Sequence, residues 1–380
     1  MFELIDEWGP EKVVCVSDSR TGMRGVLVID NTARGLGKGG TRMTPTVTVG
    51  EVARLARNMT WKWAAVDLFY GGAKAGIQAD PAAGSKEAVL RSFVRALRNE
   101  VPEEYVFGLD VGLTENDAAI MLDEVGGRGG AVGTPNALGG LPYDQLGVTG
   151  YGVAEAADAA AQTLGLTTAS LSVSIQGFGA VGAATAQRLA ELGATIVAIS
   201  TSRGGLHNPN GLDVAALLAL RELYGDQLVE HYTDAKPLAL GEEFAVAADI
   251  LVPAALQDVI GVELARTLPA TIVVEGANLP SSPDAQQVLF DRGITVVPDF
   301  IANAGGVVAA AVAMDARHSG LRPDPVAVFE AISSKLRNGT TQTLTASQHQ
   351  AETTHQVART AARARVREAM QLRGRLPATV

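Results

Sequence analysis

A glycine-rich turn near the middle of the chain constrains the fold more than any other feature of the sequence. The turn follows a predicted apolar strand at residues 171–175 and opens a predicted helix that ends at Gly193. The next apolar run, residues 195–199, predicts a second strand. The three glycines of the turn have G-x-G-x-x-G spacing and are Gly177, Gly179 and Gly182. A strand, a tight turn, a helix and a strand in this order predict a βαβ unit with parallel strands.

The alternation of strands and helices continues through the second half of the chain. Strands buried on both faces of a parallel sheet are uniformly apolar, and such runs occur at residues 250–252, 271–274 and 294–297. With 380 residues, the chain is long enough for two domains. We predict an α/β fold with an N-terminal α/β domain at residues 1–147 and a doubly wound, Rossmann-type nucleotide-binding domain at residues 148–339. The C-terminal helices, about residues 340–380, are expected to pack back on the first domain.

Composition excludes several other classes of protein. The formal net charge of −10 argues against nucleic acid as the main partner. Cys15 is the single cysteine, so an internal disulfide is impossible and a cysteine-rich zinc site is not expected. The N-terminus lacks the basic segment and long apolar run of a signal peptide, and no run reaches the ~20 apolar residues of a membrane helix. We therefore expect a cytoplasmic protein without a nucleic-acid or membrane partner.

The first third of the chain mixes predicted strands, at residues 13–16 and 24–29, with predicted helices. Apolar residues recur at helical spacing over residues 49–65, and a second helix is predicted over residues 86–99. Between the two helices, residues 71–76 contain too much glycine for a helix interior. We interpret this segment as a loop in which another group approaches the backbone.

The glycine turn is a candidate dinucleotide site. Gly177 permits the tight turn, Gly179 lets the backbone approach a pyrophosphate, and Gly182 allows the helix to pack closely. The N-terminus of the following helix offers unpaired N–H groups to phosphates. The candidate cofactor-binding segment consists of Gly177, Phe178, Gly179, Ala180, Val181 and Gly182. The alternative is a tight strand-to-helix turn that binds nothing.

The end of the second strand bears on the choice of cofactor. An NAD site usually carries an acidic residue there, which binds the ribose 2′-hydroxyl. This chain has Ser200, Thr201, Ser202 and Arg203 instead. Because no carboxylate would repel a 2′-phosphate and Arg203 could bind one, NADP or the use of both cofactors is favoured over strict NAD. The alternative is that Arg203 only contacts solvent.

Three ionisable residues of the first domain have surroundings that suit chemistry on an amine. Lys62 lies on the helix predicted over residues 49–65, Lys74 lies among glycines, and Asp110 lies between Gly108 and Gly112. A lysine close to another cation has its ammonium form disfavoured, and it can then act as a base near neutral pH. Each of the three taken alone is also explained as a surface charge.

Seven short stretches together resemble the amino-acid dehydrogenase superfamily of glutamate, leucine, phenylalanine and valine dehydrogenases. They are residues 39–43, 59–62, 71–74, 110–112, 177–179, 275–278 and 303–306. The resemblance implies NAD(P)-dependent oxidative deamination of an L-amino acid to a 2-oxo acid and ammonia, together with the reverse reductive amination. It also implies that the N-terminal domain binds the substrate, that catalysis occurs in the cleft between the domains, and that the protein is a homo-oligomer.

The resemblance also implies roles for individual residues. Lys62 would pair with the substrate α-carboxylate, Lys74 would be the catalytic lysine, and Asp110 would exchange a proton with the substrate nitrogen. Asn303 would lie where nicotinamide and substrate meet. The remaining implied contacts are Gly40 and Gly108 with the substrate, and Ala277 and Asn278 with the cofactor. No metal is expected, because the lysines supply the positive charge.

The substrate side chain is predicted from two further positions. Glutamate enzymes of this family hold the distal carboxylate with a lysine and a serine, and the corresponding positions are interpreted as Ala53 and Ala310. Neither residue can pair with a carboxylate, so an apolar substrate is favoured. One alternative is a glutamate dehydrogenase, and another is a catalytically silent, nucleotide-binding regulatory subunit.

Overall fold

The computed structural model describes residues 2–127 and 129–376. The chain forms two compact units. The first unit comprises Met1–Tyr143, Val307–Val328 and Ala361–Val380, and the second comprises Asp144–Gly306 and Phe329–Thr360. The chain thus leaves the first unit a few residues before the predicted boundary at residue 147. Of the helices predicted to pack back on the first domain, residues 340–360 belong to the second unit, while residues 377–380 lie outside the described part.

The strands form two separate sheets. The first unit contains β1 (Lys12–Asp18), β2 (Met23–Asn31), β3 (Gly37–Lys38), β4 (Thr41–Thr44), β5 (Gly71–Gln78) and β6 (Tyr105–Val106). The second unit contains β7 (Ser172–Gln176), β8 (Thr195–Thr201), β9 (Gly204–His207), β10 (Lys236–Leu238), β11 (Ile250–Pro253), β12 (Ile272–Val274) and β13 (Thr295–Val297).

The helices of the first half of the chain are α1 (Val49–Ala65), α2 (Lys86–Ala96), α3 (Glu115–Val125), α4 (Tyr143–Leu146), α5 (Val148–Thr163) and α6 (Ala180–Glu191). Those of the second half are α7 (Val214–Tyr224), α8 (Leu228–His231), α9 (Val262–Thr267), α10 (Pro283–Asp291), α11 (Asp299–Ala302), α12 (Gly305–Ala316), α13 (Pro325–Gln350) and α14 (Thr354–Leu372). The helix predicted over residues 49–65 therefore has the predicted bounds.

The sheet of the first unit has β5 at its centre, and this corrects one prediction. Strand β5 pairs with β2 on one side and with β3 and β4 on the other, although residues 71–76 were expected to form a loop. A Cβ atom at Gly72 would lie 2.0 Å from Thr60 Oγ1, and one at Gly76 would lie 2.6 Å from Val52 Cγ2. The glycines are therefore needed because α1 packs closely against this strand.

The second unit is built on the βαβ arrangement that the sequence predicts. Its sheet has the order β10-β9-β8-β7-β11-β12-β13. Strands β8, β7, β11, β12 and β13 run parallel, while β9 and β10 each pair antiparallel with a neighbour. The turn between β7 and α6 consequently lies at the carboxyl edge of the parallel strands, where open α/β sheets bind ligands. The predicted two-domain α/β class is confirmed.

One stretch of the described residues is long and apolar enough to cross a membrane, namely Asp299–Ala316. Of this stretch, 61% is buried inside the protein. Such burial is typical of helices that pack in a protein core.

Candidate functional site

The glycine turn of the second unit leaves one open approach to the backbone. Gly177 has a φ of +90°, and a Cβ atom at Gly182 would lie only 1.8 Å from the carbonyl oxygen of Gly177. A Cβ atom at Gly179, in contrast, would meet nothing within 4 Å. Phe178 is buried, so its side chain supports the turn, whereas Ala180 is exposed at the start of α6. The turn can therefore admit a pyrophosphate at Gly179 and at the N-terminus of α6.

The loops that follow β12 and β13 bring together two residues that were predicted to lie near the nicotinamide. The Asn303 side-chain amide donates to the backbone oxygen of Ala277 at 3.2 Å and to Asn278 Oδ1 at 3.1 Å. Asn303 Oδ1 is buried and has no hydrogen-bond partner within residues 2–127 and 129–376. A buried acceptor of this kind suits a ligand that donates an N–H group, such as a carboxamide.

A buried pair, Glu275 and His355, supports the loops that follow β12 and β13. Glu275 Oε2 lies 2.7 Å from His355 Nε2 and accepts from the backbone N–H of Asp299 at 2.9 Å. The ligand atoms of Glu275, Asp299 and His355 lie within 4.8 Å of one another, so these are the described residues that could hold a metal ion. Since hydrogen bonds already join the three residues, the group is explained as a support for the loops.

In the first unit, the structure joins the two residues that were predicted to be catalytic. Lys74 Nζ, on β5, lies 3.0 Å from Asp110 Oδ2. Arg42, on β4, reaches the same oxygen atom through Nε at 2.9 Å and contacts Glu51 through Nη1 at 2.8 Å. The role of Arg42 was not predicted, although the residue belongs to one of the matching stretches. Asp110 is thus held by two cations, one of which is itself anchored by a second carboxylate.

The environment shifts the pKa of both predicted catalytic groups. Burial lowers the pKa of Lys74, and the charge of Arg42 lowers it further, while Asp110 only partly offsets these effects. Burial alone would raise the pKa of Asp110, but the positive charges of Lys74 and Arg42 outweigh it and hold this pKa below its usual value. Lys74 therefore loses its proton more readily than an ordinary lysine, as a general base requires.

Lys38, which was not among the predicted site residues, is a deeply buried lysine of the first unit. Its Nζ donates to the backbone oxygens of Val106 and Phe107, both at 2.9 Å, and the residue is only 3% exposed. Burial, and then the charges of Lys74 and Arg317, lower the pKa of Lys38 to about 7. No carboxylate pairs with it in the part of the chain that the structure describes. The only sequence signal was its position directly before the stretch at residues 39–43.

The remaining predicted substrate contacts divide into two groups. A Cβ atom at Gly108 would lie 2.5 Å from Lys38 Nζ, so this glycine makes room for the Lys38 side chain. A Cβ atom at Gly40 would lie 2.3 Å from the backbone oxygen of Leu109 and 3.0 Å from Asp110 Cβ, so this glycine lets the chain pass close to Asp110. Ala310 lies half-buried on α12, and Lys62 lies half-buried in the last turn of α1. Both stay candidates.

Ala53 requires a correction. It packs in a hydrophobic cluster with Val26 and Val28 of β2 and with Val52 of its own helix. Ala53 and Lys62 are nine residues apart on α1, and at about 100° per residue they point to opposite sides of the helix. Ala53 is therefore a core residue, and its packing in an apolar cluster explains why the carboxylate-binding lysine of glutamate enzymes is not found at this position.

The chain is similar to known proteins along almost its whole length. The model of the Glutamate/Leucine/Phenylalanine/Valine dehydrogenase family matches residues 139–374, and that of the Glu/Leu/Phe/Val dehydrogenase dimerisation domain matches residues 10–126. The NAD-specific glutamate dehydrogenase of Staphylococcus aureus is 40% identical over 289 residues, which are 73% of this chain and 68% of that protein.

The NADP-specific glutamate dehydrogenase of Saccharolobus shibatae is 36% identical over 328 residues, which are 82% of this chain and 77% of that protein. Among solved structures, the hetero-hexameric glutamate dehydrogenase of Thermus thermophilus, in its leucine-bound form, has a TM-score of 0.84 and 31% identity. That match covers 97% of this chain and 91% of the Thermus chain.

Proposed function

The chain belongs to the Glu/Leu/Phe/Val dehydrogenase family, and on this premise we propose that it oxidises L-glutamate to 2-oxoglutarate and ammonia. The family resemblance inferred from the motifs is thus correct, and the protein is an amino-acid dehydrogenase that uses a nicotinamide cofactor. The choice of glutamate replaces the apolar substrate that was favoured from Ala53 and Ala310.

The observation that supports glutamate is the buried charge of Lys38. Burying an ammonium group without a counter-ion costs several kcal/mol, and a carboxylate of the ligand would offset this cost. An ammonium has three N–H donors, of which two are used by Val106 and Phe107. The third donor has no hydrogen-bond partner among the described residues, and Gly108 lets Nζ sit this close to the backbone, because a Cβ atom there would lie only 2.5 Å from it. A substrate with a second carboxylate fits this site better than an apolar one.

Ala310 is compatible with either substrate. It is small and offers no hydrogen bond, so it supplies no partner for a carboxylate. The argument for an apolar side chain rested on Ala53 as well, and Ala53 belongs to the core. Relatives that carry the name glutamate dehydrogenase also support the dicarboxylic substrate.

The residues of the chain account for the proton transfers of the reaction. When bound, the nicotinamide accepts the hydride from the substrate α-carbon. Lys74, as the free amine, removes a proton from the water that adds to this carbon. Asp110 exchanges a proton with the substrate nitrogen as ammonia leaves. Burial and the charge of Arg42 favour the free amine of Lys74, against the opposing effect of Asp110, while Lys74 and Arg42 favour the ionised form of Asp110.

The test is a panel of amino acids, with turnover followed by the absorbance of the reduced nicotinamide. We expect kcat/KM for glutamate to exceed that for leucine and phenylalanine at least tenfold. The Lys38→Leu variant should lose ~100-fold in kcat/KM for glutamate and should keep or gain activity on leucine. Replacing the exposed Lys236 by Leu is the matched control and should change neither value.

Two results would overturn the proposal. A preference of the native enzyme for leucine or phenylalanine would restore the apolar substrate. Absence of turnover with every amino acid, in a folded protein that binds the cofactor, would favour the silent regulatory subunit.

We also propose that the chain works as a homo-oligomer in the cytoplasm. Support for an oligomer comes from the match to a dimerisation-domain model and from the Thermus neighbour, which is itself a hetero-hexamer. Light scattering coupled to size exclusion should give a mass several times 39.3 kDa. A monomer that retains full activity would contradict the oligomer.

A further inference from the structure

A carboxylate does lie at the end of β8, but it belongs to Asp226, which is distant in the sequence. Ser202 Oγ donates to Asp226 Oδ2 at 2.5 Å, and Thr201 Oγ1 donates to the backbone oxygen of Asp226 at 2.9 Å. Asp226 lies in the 3₁₀ turn Gly225–Gln227 between α7 and α8. The carboxylate that the sequence lacks at the strand end is therefore supplied from 24 residues further on.

The short segment that carries Asp226 is braced on both sides. The rings of Tyr224 and His231 stack with their centroids 3.7 Å apart and an interplanar angle of 18°. These two residues flank the Asp226 turn in the chain, so the stacking closes it into a small loop. Together with the bond from Thr201, this contact fixes Asp226 at the end of β8 while leaving its carboxylate exposed to solvent.

Arg203, which was expected to attract a 2′-phosphate, also faces a carboxylate. Its Nε lies 3.8 Å from Glu230 Oε1, on α8. The turn at residues 201–203 thus presents one guanidinium and two carboxylates, Asp226 and Glu230. A 2′-phosphate with a charge of about −2 would be repelled by Asp226 and would compete with Glu230 for Arg203. A 2′-hydroxyl, in contrast, can donate to the second oxygen of Asp226.

We propose that Asp226 binds the ribose 2′-hydroxyl of the cofactor in place of the usual strand-end residue, and that Asp226 and Glu230 together make the enzyme prefer NAD to NADP. This preference reverses the expectation from residues 200–203 alone. It rests on the proposed function only in requiring a nicotinamide dinucleotide at the Gly177 turn.

The test measures cofactor binding without substrate, so failure of the glutamate proposal leaves the result intact. Dissociation constants for NADH and NADPH are obtained from the fluorescence of the reduced nicotinamide. We expect the native protein to bind NADH at least tenfold more tightly than NADPH. In the Asp226→Asn and Glu230→Gln double variant, NADPH should bind at least tenfold more tightly than before, while NADH should bind several-fold more weakly, because an amide oxygen accepts from the ribose 2′-hydroxyl less strongly than a carboxylate does.

The matched control is Glu222→Gln, which removes one exposed negative charge from α7 near the same turn. It should leave the ratio of the two dissociation constants unchanged. Equal affinity of the native protein for both cofactors, tighter binding of NADPH, or an unchanged ratio in the double variant would each overturn the proposal. Because Asp226 and Glu230 are exposed, these substitutions should leave the melting temperature within a few degrees, which thermal unfolding checks.

Discussion

The ion cluster of the first unit and the glycine turn of the second unit prepare for their ligands by different physical means. The cluster around Lys74 uses buried side chains whose charges shift one another's pKa values. The turn at Gly177 uses backbone geometry: the missing side chains allow the tight turn, and Gly179 is exposed to solvent. Charge–charge effects are strong where water is excluded and weak where it is present. Substitutions should therefore affect chemistry in the first unit and binding in the second.

The most severe test of this contrast is Lys74→Ala. Loss of a general base lowers the rate ~10²–10⁴-fold, and we expect a loss of kcat in this range with NADH affinity unchanged, because Lys74 belongs to the first unit. Single-turnover kinetics and fluorescence titration give the two values. Replacing Lys12, which is half-buried and paired with Glu100 and Glu104, by Ala is the control. Turnover within a few-fold of the native rate would exclude Lys74 as the catalytic base.

The buried charge of Lys38 should be visible in the pH dependence of stability. The pKa of Lys38 is about 7 in the folded state and ~10.4 in an unfolded chain. Between these values the unfolded chain holds a proton that the folded protein lacks, so the free energy of unfolding rises with pH. Over the whole range the rise amounts to at most about 5 kcal/mol. Below pH 7 the cost of the buried charge is fully present.

Urea unfolding at pH 7 and at pH 9.5 checks this expectation. The native protein should gain stability between the two values, and the Lys38→Leu variant should gain less. Lys74 contributes in the same direction, because its pKa is also lowered, so some gain should persist in the variant. An equal gain in the two proteins would show that folding does not lower the pKa of Lys38.

Substituting two glycines of the second unit should separate an effect on stability from an effect on NADH binding. Gly182→Ala places a Cβ atom 1.8 Å from the backbone oxygen of Gly177, and we expect it to destabilise the protein by ~3 kcal/mol. Gly179→Ala meets nothing within 4 Å and should leave stability unchanged. It should nevertheless weaken NADH binding about tenfold, because the new methyl group stands where the pyrophosphate approaches. Thermal unfolding and NADH titration of both variants measure these two effects. Unchanged NADH affinity in Gly179→Ala would mean that the pyrophosphate does not bind at this turn.

The sequence predicted the second unit better than the first for a physical reason. Turn geometry depends on local residues, so the spacing of Gly177, Gly179 and Gly182 was enough to predict β7, α6 and β8. Strand β5 was missed because its glycines are required by packing against α1, which is a tertiary contact. The same limit explains why a loop was expected there.

In the candidate site, too, residues in a recognisable sequence motif were predicted, whereas residues whose importance depends on tertiary contacts were missed. The family resemblance pointed to Lys74 and Asp110 separately, and the structure places Lys74 Nζ 3.0 Å from Asp110 Oδ2. Lys38 and Asp226 were missed because their importance comes from burial in one case and from contact with a distant strand end in the other. Ala53 was misplaced because it lies nine residues before Lys62 on α1 and therefore points to the opposite side of the helix, into the core.

The smallest effect is expected from Arg42, whose role is to position and charge Asp110. Removing its guanidinium in Arg42→Gln should raise the pKa of Asp110, since the charge of Arg42 and its hydrogen bond both lower that pKa. If Asp110 must be ionised to accept a proton, the acid limb of the kcat/KM profile then moves to higher pH, and kcat falls about tenfold. Arg95→Gln, which removes a half-exposed guanidinium elsewhere in the first unit, is the control. A lower kcat with an unmoved acid limb would mean that Arg42 only holds β4 in place. A shifted acid limb would show that the charge of Arg42, which does not touch the reacting atoms, sets the proton affinity of Asp110.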